Sequence, residues 1–210
     1  MYEIGELLLW NRTKDKFQSN LNRAHVGFIP GSGSTNGQLI AQEILTDAKE
    51  ERKILILQAL DGSKAFDCVP NTINQVKLFK HGIRDINLIM ISEQYRQQSK
   101  VIRWEGNDSK PIITEQGLSQ GAHNSPPAYL VQNNSNLNSL DSHSTGYNIG
   151  SLKVTNVTVA DDILLTSSSQ FDAQTQLNII STENARDRAI VNGDKTVGMK
   201  KSSQGKLSMH

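Results

Sequence analysis

The chain has 210 residues, 36% of them hydrophobic, 5% aromatic and 20% charged, and its charges nearly cancel to +1. That is enough sequence for one substantial core, or a core with a small lobe. It excludes a large multidomain machine and a highly charged disordered chain. A single cysteine, Cys68, rules out an internal disulfide framework and fits a reducing compartment. No run has the length of a membrane span, and the N-terminus lacks the pattern of a secretory leader. The expectation is an intracellular protein, in cytoplasm or nucleus, with no membrane and no disulfide-linked partner.

In chain order, residues 3–24 read as a helix with Ile4, Leu7, Leu8 and Leu21 apolar, followed by the irregular loop "GFIPGSGSTNG". A second helix, 38–52, carries Leu39, Ile40, Ile44 and Leu45 on one face. The run "KILILQALD" is a buried strand over 54–61 that stops at Asp61. Pro70 opens a helix to His81, with Gly82 as its C-cap, and another helix follows over 85–98. "KVIRWEG" and "KPIITEQG" form paired strands around a turn at Gly106 to Ser109. The Asn/Ser-rich segment 132–148 supports only a weak helix, because those side chains compete for backbone hydrogen bonds. Strands 152–159 and 162–167 flank a hairpin tip, 171–190 is helical, and the stretch from Met199 reads as unstructured. Six Lys or Arg between Arg186 and His210 face only Asp187 and Asp194, so this end is basic.

This order suits an α+β fold: an antiparallel, split βαβ-like sheet with helices packed on one face. In such a sheet the end of strand 54–61 lies beside the tip of hairpin 154–167, which brings Asp61 near Asp161 and Asp162. Taken alone, "ADDI" is an ordinary turn. Three converging carboxylates, however, are hard oxygen donors suited to Mg²⁺, and two such ions serve an in-line phosphoryl displacement. One Cys and five scattered His exclude a zinc site, and "GSGS" lacks the lysine of a P-loop.

The succession "GFIPGSGST", "ALDGSKAFDCV", "QGLSQGAHNSPPAYL", "VADDILL" and "IVNGDKT" resembles the reverse transcriptase domain of non-LTR (LINE-like) retrotransposons, over about residues 2 to 199. The resemblance implies a polymerase palm over 54–198, a partial fingers segment over 1–53, and a disordered tail over 199–210. It implies an RNA-directed DNA polymerase that adds dNTPs to a DNA primer 3′-hydroxyl on an RNA template, with two Mg²⁺ ions, or Mn²⁺ in their place. Asp61, Asp161 and Asp162 would be the metal-binding catalytic acids, and Lys195 the proton donor to pyrophosphate. Gly62 and Ser63 would offer backbone amides to the triphosphate. Phe66 would be the steric gate against a ribose 2′-hydroxyl, and Gln120 and Gly121 would lie against the nascent base pair.

The pattern departs from the family where its GFRPGRST-like loop carries arginines, for here those positions are Ile29 and Ser32. Neither can supply a charge-assisted phosphate contact. Val159 replaces the usual tyrosine before the acids. No thumb, endonuclease domain or Cys/His knuckle is legible, so processive synthesis by this chain alone is not expected. The competing reading is a catalytically silent relic that serves at most as a nucleic-acid-binding or interaction module.

Overall fold

The structure is a computed structural model that describes residues 2–96, 98–119, 121–204 and 206–209. Its elements begin with α1 (Tyr2–Ser19), α2 (Ser34–Glu50), β1 (Leu55–Leu60), α3 (Asn71–His81) and α4 (Asp85–Tyr95). Short strands follow: β2 (Gln98–Lys100), β3 (Arg103–Trp104), β4 (Asn107–Asp108) and β5 (Ile112–Thr114). After α5 (Ser125–Asp141) come β6 (Tyr147–Ile149), β7 (Leu152–Val154), β8 (Asn156–Val159) and β9 (Asp162–Ser167). The chain closes with α6 (Gln170–Asp187), β10 (Val197–Lys201) and β11 (Leu207–Met209).

Two compact units share the chain, one made of residues 1–20 and 66–132, the other of 21–65 and 133–210. The expected sequential division at residues 53 and 198 is therefore not the one that packing produces. The chain passes between units after Asn20, after Ala65 and within α5.

The larger unit is built on an antiparallel five-stranded sheet in the order β11-β10-β1-β9-β8. Alternation along β1 and β9 sends side chains to two faces. Leu60, Ile163 and Leu165 pack with Leu137 and Leu140 of α5 and Ile180 of α6. On the other face Leu55 and Leu57 meet Ile44 and Ala48 of α2 and Tyr147 of the β6–β7 hairpin. Two helices thus share one face as expected, while α2 and a hairpin cover the second.

Three sequence expectations change here. The tail from Met199 is ordered: β10 pairs with β1 in the register Leu57↔Met199, and β11 pairs with β10. The buried Lys201 Nζ also donates to the Ala48 carbonyl at 2.8 Å, at the C-terminal end of α2, where a cation is favoured. Strand 152–159 is in fact two strands, since β7 pairs with β6 and β8 pairs with β9. Residues 132–141 of the Asn-rich segment lie in the helix α5, where two of its asparagines find partners on other elements. Asn134 Oδ1 accepts from the Asn22 amide at 2.7 Å, and Asn136 Nδ2 donates to Asn184 Oδ1 at 3.0 Å.

The smaller unit holds α1, α3, α4, the strands β2 to β5 and the first half of α5. α3 starts after Pro70, and Gly82 ends it at φ 109, a left-handed C-cap that favours glycine. α1 buries Glu6, Leu9, Thr13 and Phe17, while the expected apolar positions Ile4, Leu7 and Leu8 are exposed. The paired strands form two separate two-stranded pieces, β2 with β5 and β3 with β4, and the tip lies at Glu105–Gly106.

Candidate active site

β1 delivers Asp61. The register Leu60↔Ile163 between β1 and β9, continued by one step, sets Asp61 opposite Asp162, the first residue of β9. β8 and β9 pair through Val159↔Asp162, so the connecting loop is only Ala160 and Asp161. A two-residue hairpin loop needs positive φ at its first position, and Ala160 supplies it at φ 59. Asp161 is thus a turn residue and Asp162 a strand residue.

The three acids feel one another. The Asp162 carboxyl is held above its ordinary range by desolvation, then by the negative charges of Asp161 and Asp61, while Lys195 pulls the other way. Asp162 is exposed as a residue, so water screens these interactions and keeps the effect small. Lys195 Nζ stands 3.7 Å from Asp61 Oδ2. Among the described residues no group of three or more His, Cys, Asp or Glu stands in a ready-made metal-binding arrangement.

Lys195 reaches this position because its segment is stitched to the residues after β1. Asn192 N–H donates to the Asp61 carbonyl and Ser63 N–H donates to the Ile190 carbonyl, both at 2.9 Å. Thr196 Oγ1 then bonds the Asn192 carbonyl at 2.8 Å and closes the turn that contains Lys195. The Ser63 amide, expected to face a triphosphate, is thus bonded to the Ile190 carbonyl. Gly62 occupies the position of the bridge with Val191 whose own amide turns away from that partner, and remains open to the role.

A cleft of about 590 Å³ opens beside the acids, lined by Asp61, Asp162 and Lys195, by Ser34, Gly37 and Gln38 of α2, and by an apolar floor that includes Ala59 and Val159. Sequence reading missed the contribution of α2, whose only signal was the loop before it. In that loop Ser32 N–H bonds the Ile29 carbonyl at 3.0 Å around Pro30 and Gly31, the latter at φ 77, which is a type II turn. Upstream of the turn, Val26 N–H bonds the Thr158 carbonyl and Thr158 N–H the Ala24 carbonyl, each at 2.9 Å, so residues 24–26 line the free edge of β8.

Phe66 and Gly121 belong to the smaller unit. The Phe66 ring stacks on Tyr129 with centroids 4.6 Å apart and 18° between planes. Gly121 has φ 90 and open space around it. Gln120 lies outside the described residues.

Among the described residues, no helix is long and apolar enough to cross a membrane. Solved structures with a similar fold include telomerase from Candida tropicalis in complex with a TWJ fragment of telomeric RNA, at TM-score 0.69 and 12% identity, with 95% of this chain and 34% of that one covered. The apo telomerase of the same organism, truncated from its C-terminal domain, aligns at TM-score 0.61 and 13% identity over 98% of this chain and 44% of that one. Telomerase from Candida albicans gives TM-score 0.54 and 14% identity over 99% and 37%. The chain therefore spans less than half the length of these structures. No curated protein matches it. The family model for reverse transcriptase (RNA-dependent DNA polymerase) matches residues 9–207, and the chain belongs to that family.

Proposed function

We propose that this chain is the palm-centred part of an RNA-directed DNA polymerase of the non-LTR retrotransposon type, which adds dNTPs to a DNA primer 3′-hydroxyl on an RNA template. The observation that carries the reading is the convergence of Asp61 from β1 with Asp161 and Asp162 from the β8–β9 turn, with Lys195 against Asp61. Carboxylate oxygens are the donor set Mg²⁺ prefers, and mutual repulsion among three acids is the electrostatic demand a bound cation would relieve. Asp61 and Asp161 would hold the ions, with Asp162 as the second acid of the pair. When bound, two such ions activate the attacking hydroxyl and stabilise the leaving oxygen.

The remaining roles fall to the chain's own groups. The Gly62 amide would serve a phosphate oxygen without bulk, and the Lys195 ammonium, 3.7 Å from Asp61, would give a proton to departing pyrophosphate. Phe66, held by Tyr129, is the candidate gate against a 2′-hydroxyl, and Gln120 and Gly121 are candidates for contact with the base pair and template. Primer extension on an RNA template with Mg²⁺ tests the reading. Asp161→Asn is expected to lower the rate by a factor on the order of 10² or more, the size of effect seen when a transition-state contact is removed. Extension that survives this substitution unchanged sinks the site.

A second reading is favoured by Ile29 and Ser32, where the family resemblance expects arginines, and by the commitment of the Ser63 amide to Ile190. On that reading the fold is catalytically silent and serves at most as a nucleic-acid-binding or interaction module. Calorimetric titration with Mn²⁺ separates the two, because a silent fold has no need to bind the ion at Asp61 and Asp161.

A further inference from the structure

We propose that Gly27 is a positioning residue for the acid pair: the space left by its missing side chain is where the Val159–Ala160 peptide sits, and this contact fixes where Asp161 and Asp162 stand. The inference rests on the reading that these acids carry nucleotidyl transfer. Gly27 is buried, and a Cβ built on it would lie 2.6 Å from the Ala160 nitrogen, 3.2 Å from the Val159 carbonyl carbon and 3.3 Å from the Val159 Cα. All three atoms are backbone, so no rotamer change relieves the overlap. Its own φ lies outside the left-handed region, so space, and not backbone conformation, is what demands glycine here.

The segment cannot simply step back. Val26 and Ala24 are tied to Thr158 by the two hydrogen bonds at 2.9 Å that precede Gly27. The peptide it touches leads directly into Ala160 at φ 59, a conformation an L-residue keeps only where its surroundings hold it. A second glycine braces the same strand more softly. A Cβ on Gly37 of α2 would meet side-chain atoms, Val159 Cγ2 at 3.1 Å, Val26 Cγ2 at 3.2 Å and Val157 Cγ1 at 3.4 Å, which can give by a few tenths of an ångström. Gly33, in the same loop, has open space around it. The three glycines thus form a graded series.

The test compares G27A, G37A and G33A by primer extension, by Mn²⁺ binding through water-proton relaxation, and by the amide chemical shifts of Asp161 and Asp162. G27A is expected to lower kcat by on the order of tenfold to a hundredfold, the penalty for misplacing reacting groups by about an ångström, with KM for dNTP little changed. It is also expected to weaken Mn²⁺ binding and shift both amides, G37A to do the same to a smaller extent, and G33A to match the parent. Parent-like kcat, Mn²⁺ affinity and amide shifts in G27A overturn the proposal, as does a G33A chain as impaired as G27A. Should G27A fail to melt cooperatively, G37A decides, and a parent-like result there overturns it. A parent chain that neither extends primers nor binds Mn²⁺ defeats the proposed function, while the amide shifts still decide the role of Gly27.

Discussion

Two of the two-residue hairpins among the described residues, β3–β4 and β8–β9, each begin their turn with a non-glycine residue at positive φ and hold it in different surroundings. The β3–β4 tip uses Glu105 at φ 48 and Gly106 at φ 81, both positive, the type I′ turn with glycine at its second central position. Its flanking residues Trp104, 74% exposed, and Arg103 face solvent, and Arg103 closes a two-pronged contact on Asp108 at 2.7 and 3.0 Å. The β8–β9 tip places alanine where a turn wants glycine, yet its strands rest on a packed core, its free edge is lined by residues 24–26, and its peptide is seated on Gly27. A tip that only reverses the chain has glycine at its second central position and is left in water. A tip that aims carboxylates is held from outside, and its local conformation is paid for by its neighbours.

The contrast can be broken at several points. The largest effect belongs to Leu165→Ala, which opens a void beneath β9 where the side chain is fully buried and is expected to cost about 2–5 kcal/mol in urea unfolding. Next, Gly106→Ala forces a Cβ into a left-handed position and should cost about 1–2 kcal/mol. Because β3 and β4 pair only with each other, hydrogen exchange at the Ser109 amide, bonded to Ile102, is the measurement to make. Ala160→Gly goes the other way and relieves the strained turn. It should stabilise the larger unit by about 0.5–1 kcal/mol after the entropy of glycine is counted.

The two hairpins should also respond to pH with opposite signs. Asp162 is raised in the folded state, so its contribution is greatest at low pH and is lost as pH rises through the raised value. Asp108 is lowered by its hydrogen bonds from Arg103, so its contribution is present above the ordinary carboxylate value and is lost as pH falls through the lowered one. Asp162→Asn is therefore expected to be more stable than the parent at neutral pH. The gain should be well under about 1 kcal/mol because the group is exposed, and should vanish below about pH 4. Arg103→Ala, which removes an exposed pair, should leave the urea midpoint of global unfolding unchanged.

What the sequence disclosed was what local chemistry decides. The apolar run ending at Asp61, the Pro70 start and Gly82 stop of α3, and a hairpin carrying Asp161 and Asp162 were all legible, because strand pattern, cap and turn leave marks within a few residues. α5 was not, since its asparagines look like helix breakers until Asn22 and Asn184 appear across from them. The strands after residue 196 were hidden for the same reason: their pattern is faint, and β1 supplies the edge that orders them. α1 had the right type and the wrong face, because the apolar residues it buries are Leu9 and Phe17 and not Ile4, Leu7 and Leu8. The commitment of the Ser63 amide and the clearance around Gly27 are distances between remote segments, and no local pattern encodes them.

The pairing of β10 with β1 also governs how the molecule can be handled. With β10 and β11 in place, the strand that delivers Asp61 is interior, bonded to β9 on one side and β10 on the other. A version shortened to Thr196 would strip one flank of β1 and remove Lys201 from the end of α2. An unpaired, largely apolar strand is a template for joining another chain, so such a truncation would favour self-association and insolubility over a smaller soluble palm.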